Sequence, residues 1–212
     1  MMELSLSLEE HLNRSAMLHS KLCPRQVLGV RMGRLACMLL GIDPALNRKS
    51  LYVYMETGHC AADGVMVVTG ASPNNGLMRL VAYGKLAATF VLRSSGDAIR
   101  VSERYMSRDI AIGMLPELHP WKAQRDAYQI MPDHQLFHWQ SVLLKEPVPV
   151  ISKKHSTTCQ KCGDRISEHA EVNIDGQILC RMCAGEAYFI PIKSTRLADV
   201  APLPDRLVCS HS

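Results

Sequence analysis

What this sequence has little of narrows it first. It has no strong excess of either charge: 24 Lys and Arg against 20 Asp and Glu leave a net +4. That excess is spread thinly, at +15 and −12 over residues 1–144 and +9 and −8 over residues 145–212. A nucleic-acid-binding domain needs a concentrated basic face, so this balance argues against one. No apolar run reaches the ~18 residues of a membrane helix, which argues against a membrane-spanning protein. The N-terminus is acidic and amphipathic where a secretory signal would be basic and then apolar, so no signal peptide is expected. No segment repeats, which leaves out solenoids and propellers.

What is there is an ordinary globular composition, 47% hydrophobic and 21% charged. A chain of 212 residues is long enough for one sizeable core and a small module. Eight cysteines, half of them in a metal-like pattern, point to a reducing cytosol. That pattern is Cys159-Gln160-Lys161-Cys162 answered by Cys180-Arg181-Met182-Cys183, with 17 residues between the pairs. Two Cys-x-x-Cys pairs suit one tetrahedral Zn²⁺, because the short spacing lets both sulfurs of a pair reach the same ion. Gly163 can take the positive φ that a tight knuckle needs. Between the pairs, residues 170–174 alternate as a strand, Asp175-Gly176 is a type I′ hairpin turn, and Gln177-Ile178-Leu179 returns as a second strand. Residues 183–190, with Ala184, Ala187 and Tyr188, read as a short helix. The layout predicts a treble-clef or ribbon-like zinc module in which Cys159, Cys162, Cys180 and Cys183 hold a structural ion.

Upstream, Ser7 and Glu10 form a capping box for a helix running to about His19. Leu8, Leu12, Ala16 and His19 share one face, which turns His19 inward. Cys23-Pro24 starts a second helix with Cys23 as N-cap and Leu28, Met32, Leu35 and Leu39 as its apolar stripe, closed by Gly41. A thiol at a helix N-terminus feels the positive end of the macrodipole, which predicts a lowered pKa for Cys23. Leu51–Met55 reads as a strand and Gly58-His59-Cys60 as a loop. Residues 61–69 fit a helix or a strand equally well. Strands are expected at 77–81, 86–92, 98–101 and 137–144, with a helix at 121–131. Gly84 is read as a tight connection between the paired strands 77–81 and 86–92, presenting Lys85 to a cleft. Pro147 and Pro149 mark a linker, and the tail after residue 192 lacks periodicity.

His19, Cys23 and Cys60 make a candidate second site. Imidazole and thiolates together suit a transition metal such as Zn²⁺, Fe²⁺ or Ni²⁺, or a thiol activated by a base. The same residues also suit a core histidine and two small buried hydrophobes, and the residues alone leave both readings open. Cys37, mid-helix, reads as core.

Four stretches carry a resemblance. They are His19-Ser20-Lys21-Leu22-Cys23-Pro24 with Gly29-Val30-Arg31, Glu56 through Cys60-Ala61 to Asp63, Thr69-Gly70, and Tyr83-Gly84-Lys85-Leu86-Ala87-Ala88-Thr89-Phe90. Together they resemble the signature of the formylmethanofuran dehydrogenase E-subunit family, over roughly residues 10–190. The resemblance implies an α+β fold: a mixed β-sheet flanked by helices, a C-terminal zinc finger, and a helix over 61–69. It implies homodimers and a link to molybdenum or tungsten redox enzymes whose catalytic metallocofactor sits in other subunits. Lys21 and Arg25 stand where the family usually has His and Gly, and Ala71 where it often has a second Cys. The expected division is an α+β domain of the E-subunit type at 1–147, a zinc-finger domain at 155–192 and a loose tail at 193–212. Function is expected in one of two classes, a metal- or thiol-dependent partner of a redox enzyme or a protein-docking module. The near-neutral finger, +4 and −5 over residues 155–193, argues against a nucleic-acid-binding regulator.

Overall fold

The computed structural model describes residues 4–19, 21–47, 49–149, 155–167 and 169–190. The tail expected at 193–212 lies outside the described residues. The chain divides into two compact units, residues 1–151 and 152–212.

The first unit is built around one helix. α1 (Leu8–Ala16) is capped as expected: Ser7 Oγ accepts the Glu10 N–H at 3.1 Å while Glu10 Oε2 accepts the Ser7 N–H at 2.7 Å. It ends sooner than periodicity suggests and buries His11, Leu12 and Ser15. α2 (Pro24–Leu39) starts at its Cys23 cap and closes at Gly41 with φ 66°. Val27, Leu28, Val30, Met32, Leu35, Ala36 and Cys37 are all buried, so the helix is enclosed nearly all round.

β1 (Leu51–Met55), α3 (Cys60–Thr69) and β2 (Met78–Leu80) follow. The stretch that propensity leaves ambiguous is therefore helical, as the resemblance implies. A strand–helix–strand path returns the second strand parallel to the first, and β2 pairs parallel with β1. β3 (Ala87–Leu92) pairs antiparallel with the other edge of β1, followed by β4 (Ala98–Glu103) and β5 (Phe137–Val142). The sheet order is β2-β1-β3-β4-β5, a mixed sheet. This corrects the expected hairpin: β2 and β3 flank β1 and do not pair with each other, so Gly84 (φ 70°) sits in an open connection. α4 (Ser107–Met114), α5 (Pro120–Ile130) and the short α6 (Asp133–Leu136) lie between β4 and β5.

Three contacts fix this frame. α2 and α3 pack so closely that glycines stand at their contact. A Cβ at Gly29 would fall 2.2 Å from the Ala61 carbonyl oxygen, one at Gly64 2.5 Å from that of Gln26, and one at Gly33 3.1 Å from Val68 Cβ. Gly29 meets Ala61, Val30 meets Gly64 and Gly33 meets Val68, so the helices run parallel and their N-termini meet. Arg31 reaches the C-terminus of α5, donating to the Tyr128, Gln129 and Met131 carbonyls at 2.7–3.1 Å and pairing with Asp133 at 2.7 Å. Those carbonyls have no partner within their own helix, and a cation there also complements the helix dipole. Buried Glu56, just past β1, accepts a two-point bond from Arg100 of β4 at 2.6 and 2.8 Å.

The described residues of the second unit form two short hairpins. β6 (Ser156–Thr158) pairs with β7 (Arg165–Ser167), and β8 (Glu171–Ile174) with β9 (Gln177–Cys180). Asp175 and Gly176 have φ of 51° and 83°, the two positive values of a type I′ turn. The helix expected over 183–190 is not there. Residues Met182–Glu186 form a single wide turn, broken by Gly185 at φ 103°. Only Cys183 and Ala184 of that segment pack on the small core, and with Tyr188 96% exposed the rest has no buried apolar face to hold a helix. Among the described residues, no helix is long and apolar enough to cross a membrane.

Candidate functional site

In the second unit, the β6–β7 turn presents Cys159 and Cys162, and the end of β9 with the turn after it presents Cys180 and Cys183. The four sulfurs all lie within 4.8 Å of one another, and Cys162 Sγ is 3.8 Å from Cys180 Sγ. A tetrahedron with metal–sulfur bonds of ~2.3 Å has edges of ~3.8 Å, so the cluster has the size of a tetrahedral S₄ site. Backbone N–H groups point at the sulfurs, as Cys183 N does at Cys180 Sγ, 3.4 Å away. Hydrogen bonds from the Cys162 and Cys180 backbone pull the Cys159 thiol down to about 6. Cys162 goes the other way, to about 12: the Asp164 backbone N–H favours its thiolate, but burial and the sulfurs of Cys159 and Cys183 outweigh that. Thiolates this close repel, so ionising all four requires a cation among them. The residues fit a metal ion and leave it no open position.

The first unit brings together another set. Because α2 and α3 run parallel, the cap of one and the first residue of the other are neighbours, and the Cys60 thiol lies close enough to Cys23 to raise its pKa. Both are half-buried. Cys23 Sγ also accepts the Gln26 N–H at 3.4 Å. The lowered pKa expected for Cys23 is corrected: burial pushes the thiol up, the Gln26 N–H pulls it down, and Cys60 adds a further upward push. The helix terminus acts in the expected direction but does not win.

His19 is placed differently from expectation. It lies beyond the end of α1, is exposed, and its Nε2 meets Asp63 Oδ2 at 2.7 Å. Asp63 stands three residues after Cys60, on the same face of α3. So two pairs form side by side, Cys23 with Cys60 and His19 with Asp63. Among the described residues, His19, Cys23 and Cys60 do not form a trio with all ligand atoms within 4.8 Å of one another. Sequence reasoning does not single out Asp63 as a site residue, although its i+3 spacing from Cys60 is there to be read.

The surroundings are polar. A cleft of about 310 Å³ opens against Pro24 and Arg25 at the start of α2, with Thr57, Glu103 and Arg108 also on its walls. Gly84 and Leu86 line it, whereas Lys85 between them is exposed and is not part of the wall. Lys21 is turned toward the Trp121 ring, 5.4 Å from its centroid. Ala71, at the position where the family often has a second Cys, is fully buried. Two adjacent thiols beside a His–Asp pair can ligate a soft or borderline metal, or interconvert between dithiol and disulfide.

Comparison with known proteins adds three findings. Residues 18–146 match the family model described as FmdE, Molybdenum formylmethanofuran dehydrogenase operon. A curated relative from Archaeoglobus fulgidus, described as a probable S-adenosyl-L-methionine-binding protein, is 26% identical over 202 residues. The match takes in 84% of this chain and 53% of the relative, so the chain spans about half the length of that protein. The crystal structure of a tungsten formylmethanofuran dehydrogenase FmdE-like protein from Syntrophus aciditrophicus superposes with a TM-score of 0.60. That likeness covers 90% of this chain and 100% of the other at 20% identity, and shows a shared fold.

Proposed function

The chain belongs to the FmdE family, and from that premise we propose that it is a metal-binding subunit or accessory factor of a molybdenum- or tungsten-type redox system. In this reading Cys159, Cys162, Cys180 and Cys183 hold a structural Zn²⁺, and the working site is the paired-cysteine cluster of the first unit. Cys23 and Cys60 are its thiol ligands or its redox dithiol. His19 stands next to them with its ring oriented by Asp63, as a carboxylate orients a metal-ligating imidazole. The protein acts as a cytoplasmic homodimer and docks on the subunits of its redox enzyme.

The observation that carries the reading is the meeting of Cys23 and Cys60 at two adjoining helix N-termini, next to a cleft lined by Arg25 and Arg108. The N-terminus of α2 and the Arg25 and Arg108 guanidinium groups, set against the single Glu103 carboxylate, favour an anionic guest in the cleft. The test is metal and thiol analysis of the full-length protein beside Cys23→Ser and Cys60→Ser. Each variant should lose either one metal equivalent or a reversible disulfide that wild type forms on mild oxidation. If both variants keep the wild-type metal content and wild type forms no such disulfide, the first unit has no working site of this kind.

A second reading, a docking module without chemistry, has one observation in its favour. Tyr188, Phe189 and Ile190 are consecutive and exposed in the second unit. It predicts inert, metal-free thiols in the first unit, so the same experiment separates the two.

A further inference from the structure

The second unit contains another donor cluster, made of different chemistry from the four cysteines. His155 immediately precedes β6, His169 follows β7, and Glu171 opens β8. Ser156 pairs with Ser167 across the β6–β7 hairpin, so the residues flanking those two strands emerge at the same end. There the rings of His155 and His169 stack, with centroids 4.1 Å apart and planes 7° from parallel. His155 Nε2 is 2.9 Å from Glu171 Oε1, and His169 Nδ1 is 3.8 Å from the same oxygen. One ligand atom from each of the three lies within 4.8 Å of the other two.

An ion pair alone does not account for this arrangement. His155 Nε2 and Glu171 Oε2 are both shielded from solvent, and among the described residues neither has a hydrogen-bond partner of good geometry. The 2.9 Å approach of Nε2 to the carboxylate is therefore close but out of line for N–H···O bonding. Leaving such groups unsatisfied is destabilising. His169 is held at φ 57°, a left-handed conformation uncommon for a residue with a side chain and of a kind that clusters at ligand sites.

We propose that His155, His169 and Glu171 bind a divalent transition-metal ion separate from the one suited to the four cysteines. Two imidazole nitrogens and one carboxylate oxygen select Zn²⁺, Co²⁺ or Ni²⁺ over Ca²⁺ or Mg²⁺. Three protein ligands leave a position for water or for an exchanging ligand, which a four-thiolate site does not. The second unit thus carries two ions of unlike character, one locked among thiolates and one exchangeable. This assignment rests neither on the paired-cysteine reading of the first unit nor on the identity of the thiolate-bound metal.

The test is titration of the metal-stripped full-length protein with Co²⁺ alone, because thiolate-bound cobalt shows a charge-transfer band that nitrogen- and oxygen-bound cobalt lacks. Wild type should bind one equivalent more than the double variant His155→Ala/His169→Ala, and that extra equivalent should add nothing to the thiolate band. The double variant should keep the band at full intensity. Glu171→Gln, which keeps the side-chain shape, should weaken the extra equivalent at least about tenfold. Equal cobalt uptake by wild type and the double variant would overturn the proposal. Loss of the thiolate band in the double variant would also overturn it, since the histidines would then serve only to hold the cysteine knuckle together. Unchanged affinity in Glu171→Gln would remove the carboxylate and with it the three-ligand site.

Discussion

The two units are stabilised by opposite means. The first encloses α2 almost completely and covers its sheet with helices, so its core is made of Val, Leu, Met and Phe side chains with no role in binding. Among the described residues of the second, the buried hydrophobics are Cys159, Ile166 and Leu179, and one of those three is itself a candidate metal ligand. Four strands of three or four residues each bury too little apolar surface to offset the entropy of ordering them. The same residue type therefore does different work in each place. In the first unit Cys37 is a filler inside a core that already exists. In the second, the four cysteines could hold a metal ion, which in the function proposed above is the means by which a core can exist.

The largest effect should come from removing that means. Structural zinc contributes apparent binding free energies of about 10–16 kcal/mol to small domains, far more than three side chains supply. Cys180→Ser, or treatment with a strong chelator, should unfold residues 155–190 and leave the first unit's thermal transition in place. Limited proteolysis with mass spectrometry, read beside zinc content, checks this. If the variant keeps its metal and its protease resistance, the contrast between the units is wrong.

Next come changes that strike the first unit where it is tightest. Gly64→Ala places a Cβ 2.5 Å from the Gln26 carbonyl and 2.7 Å from the Val30 nitrogen, both backbone atoms that cannot step aside. Overpacking typically costs about 1–3 kcal/mol, and a clash with backbone belongs at or above the upper end. Thermal denaturation should show the first transition falling sharply while the chelator-sensitive one stays put. A Gly64→Ala protein of wild-type stability would mean that α2 and α3 are not held at this distance. Glu56→Gln is somewhat milder. It leaves the Arg100 guanidinium, 24% exposed, facing a neutral amide, and breaking such a pair from one side costs about 3 kcal/mol when fully buried. Partial access to water at Arg100 brings the expectation to about 2 kcal/mol. Urea denaturation followed by intrinsic fluorescence measures it, and a change below the scatter would make the pair a surface contact in energetic terms.

The parts of this architecture legible in the sequence are the local ones. Ser7 with Glu10, Cys23-Pro24, Asp175-Gly176 and the two Cys-x-x-Cys pairs each act within four residues, and each stands in the structure where its spacing predicts. What sequence does not reveal depends on partners far along the chain. Helical periodicity turns His19 inward with its helix, but its partner Asp63 is 44 residues away. The β2–β3 pairing fails because the helical reading of 60–69 fixes β2 parallel to β1, and that consequence follows from topology, not from turn residues. α4 is hard to see in the sequence because its cap, Met106, makes no side-chain bond and its apolar face is short. β6 and β7, three residues each, are too brief for alternation to register. Of the resemblance's motif residues, Gly29 and Arg31 act in helix packing and capping, which a motif match alone cannot tell from a ligand role.

The smallest effect concerns reactivity, and it sharpens the contrast within the first unit. Cys37 is buried, and that pushes its thiol up to about 12. Cys23 is raised as well, first by its burial and then by Cys60, but it remains half-buried and reachable. In metal-stripped protein, alkylation should therefore rank Cys23 well ahead of Cys37, with Cys37 reacting only on unfolding. Cys23 should still need a higher pH than an unperturbed thiol, because the thiolate is the nucleophile. Removing Cys60 takes away one of the upward pushes, so Cys60→Ser should lower the Cys23 pKa and speed its alkylation at a fixed pH near neutral. The linkage has a definite sign. A thiol whose folded pKa lies above its unfolded value keeps its proton longer in the folded state, so stability falls as pH rises above the unfolded value and levels off past the folded one. For Cys37 that window runs from 9.0 to about 12, and Cys37→Ala should flatten the alkaline loss of stability there. Peptide mapping after timed iodoacetamide exposure at several pH values measures the ranking. A Cys23 that reacts no faster in Cys60→Ser than in wild type would show that the two sulfurs do not interact, and the paired-cysteine site would lose its central observation.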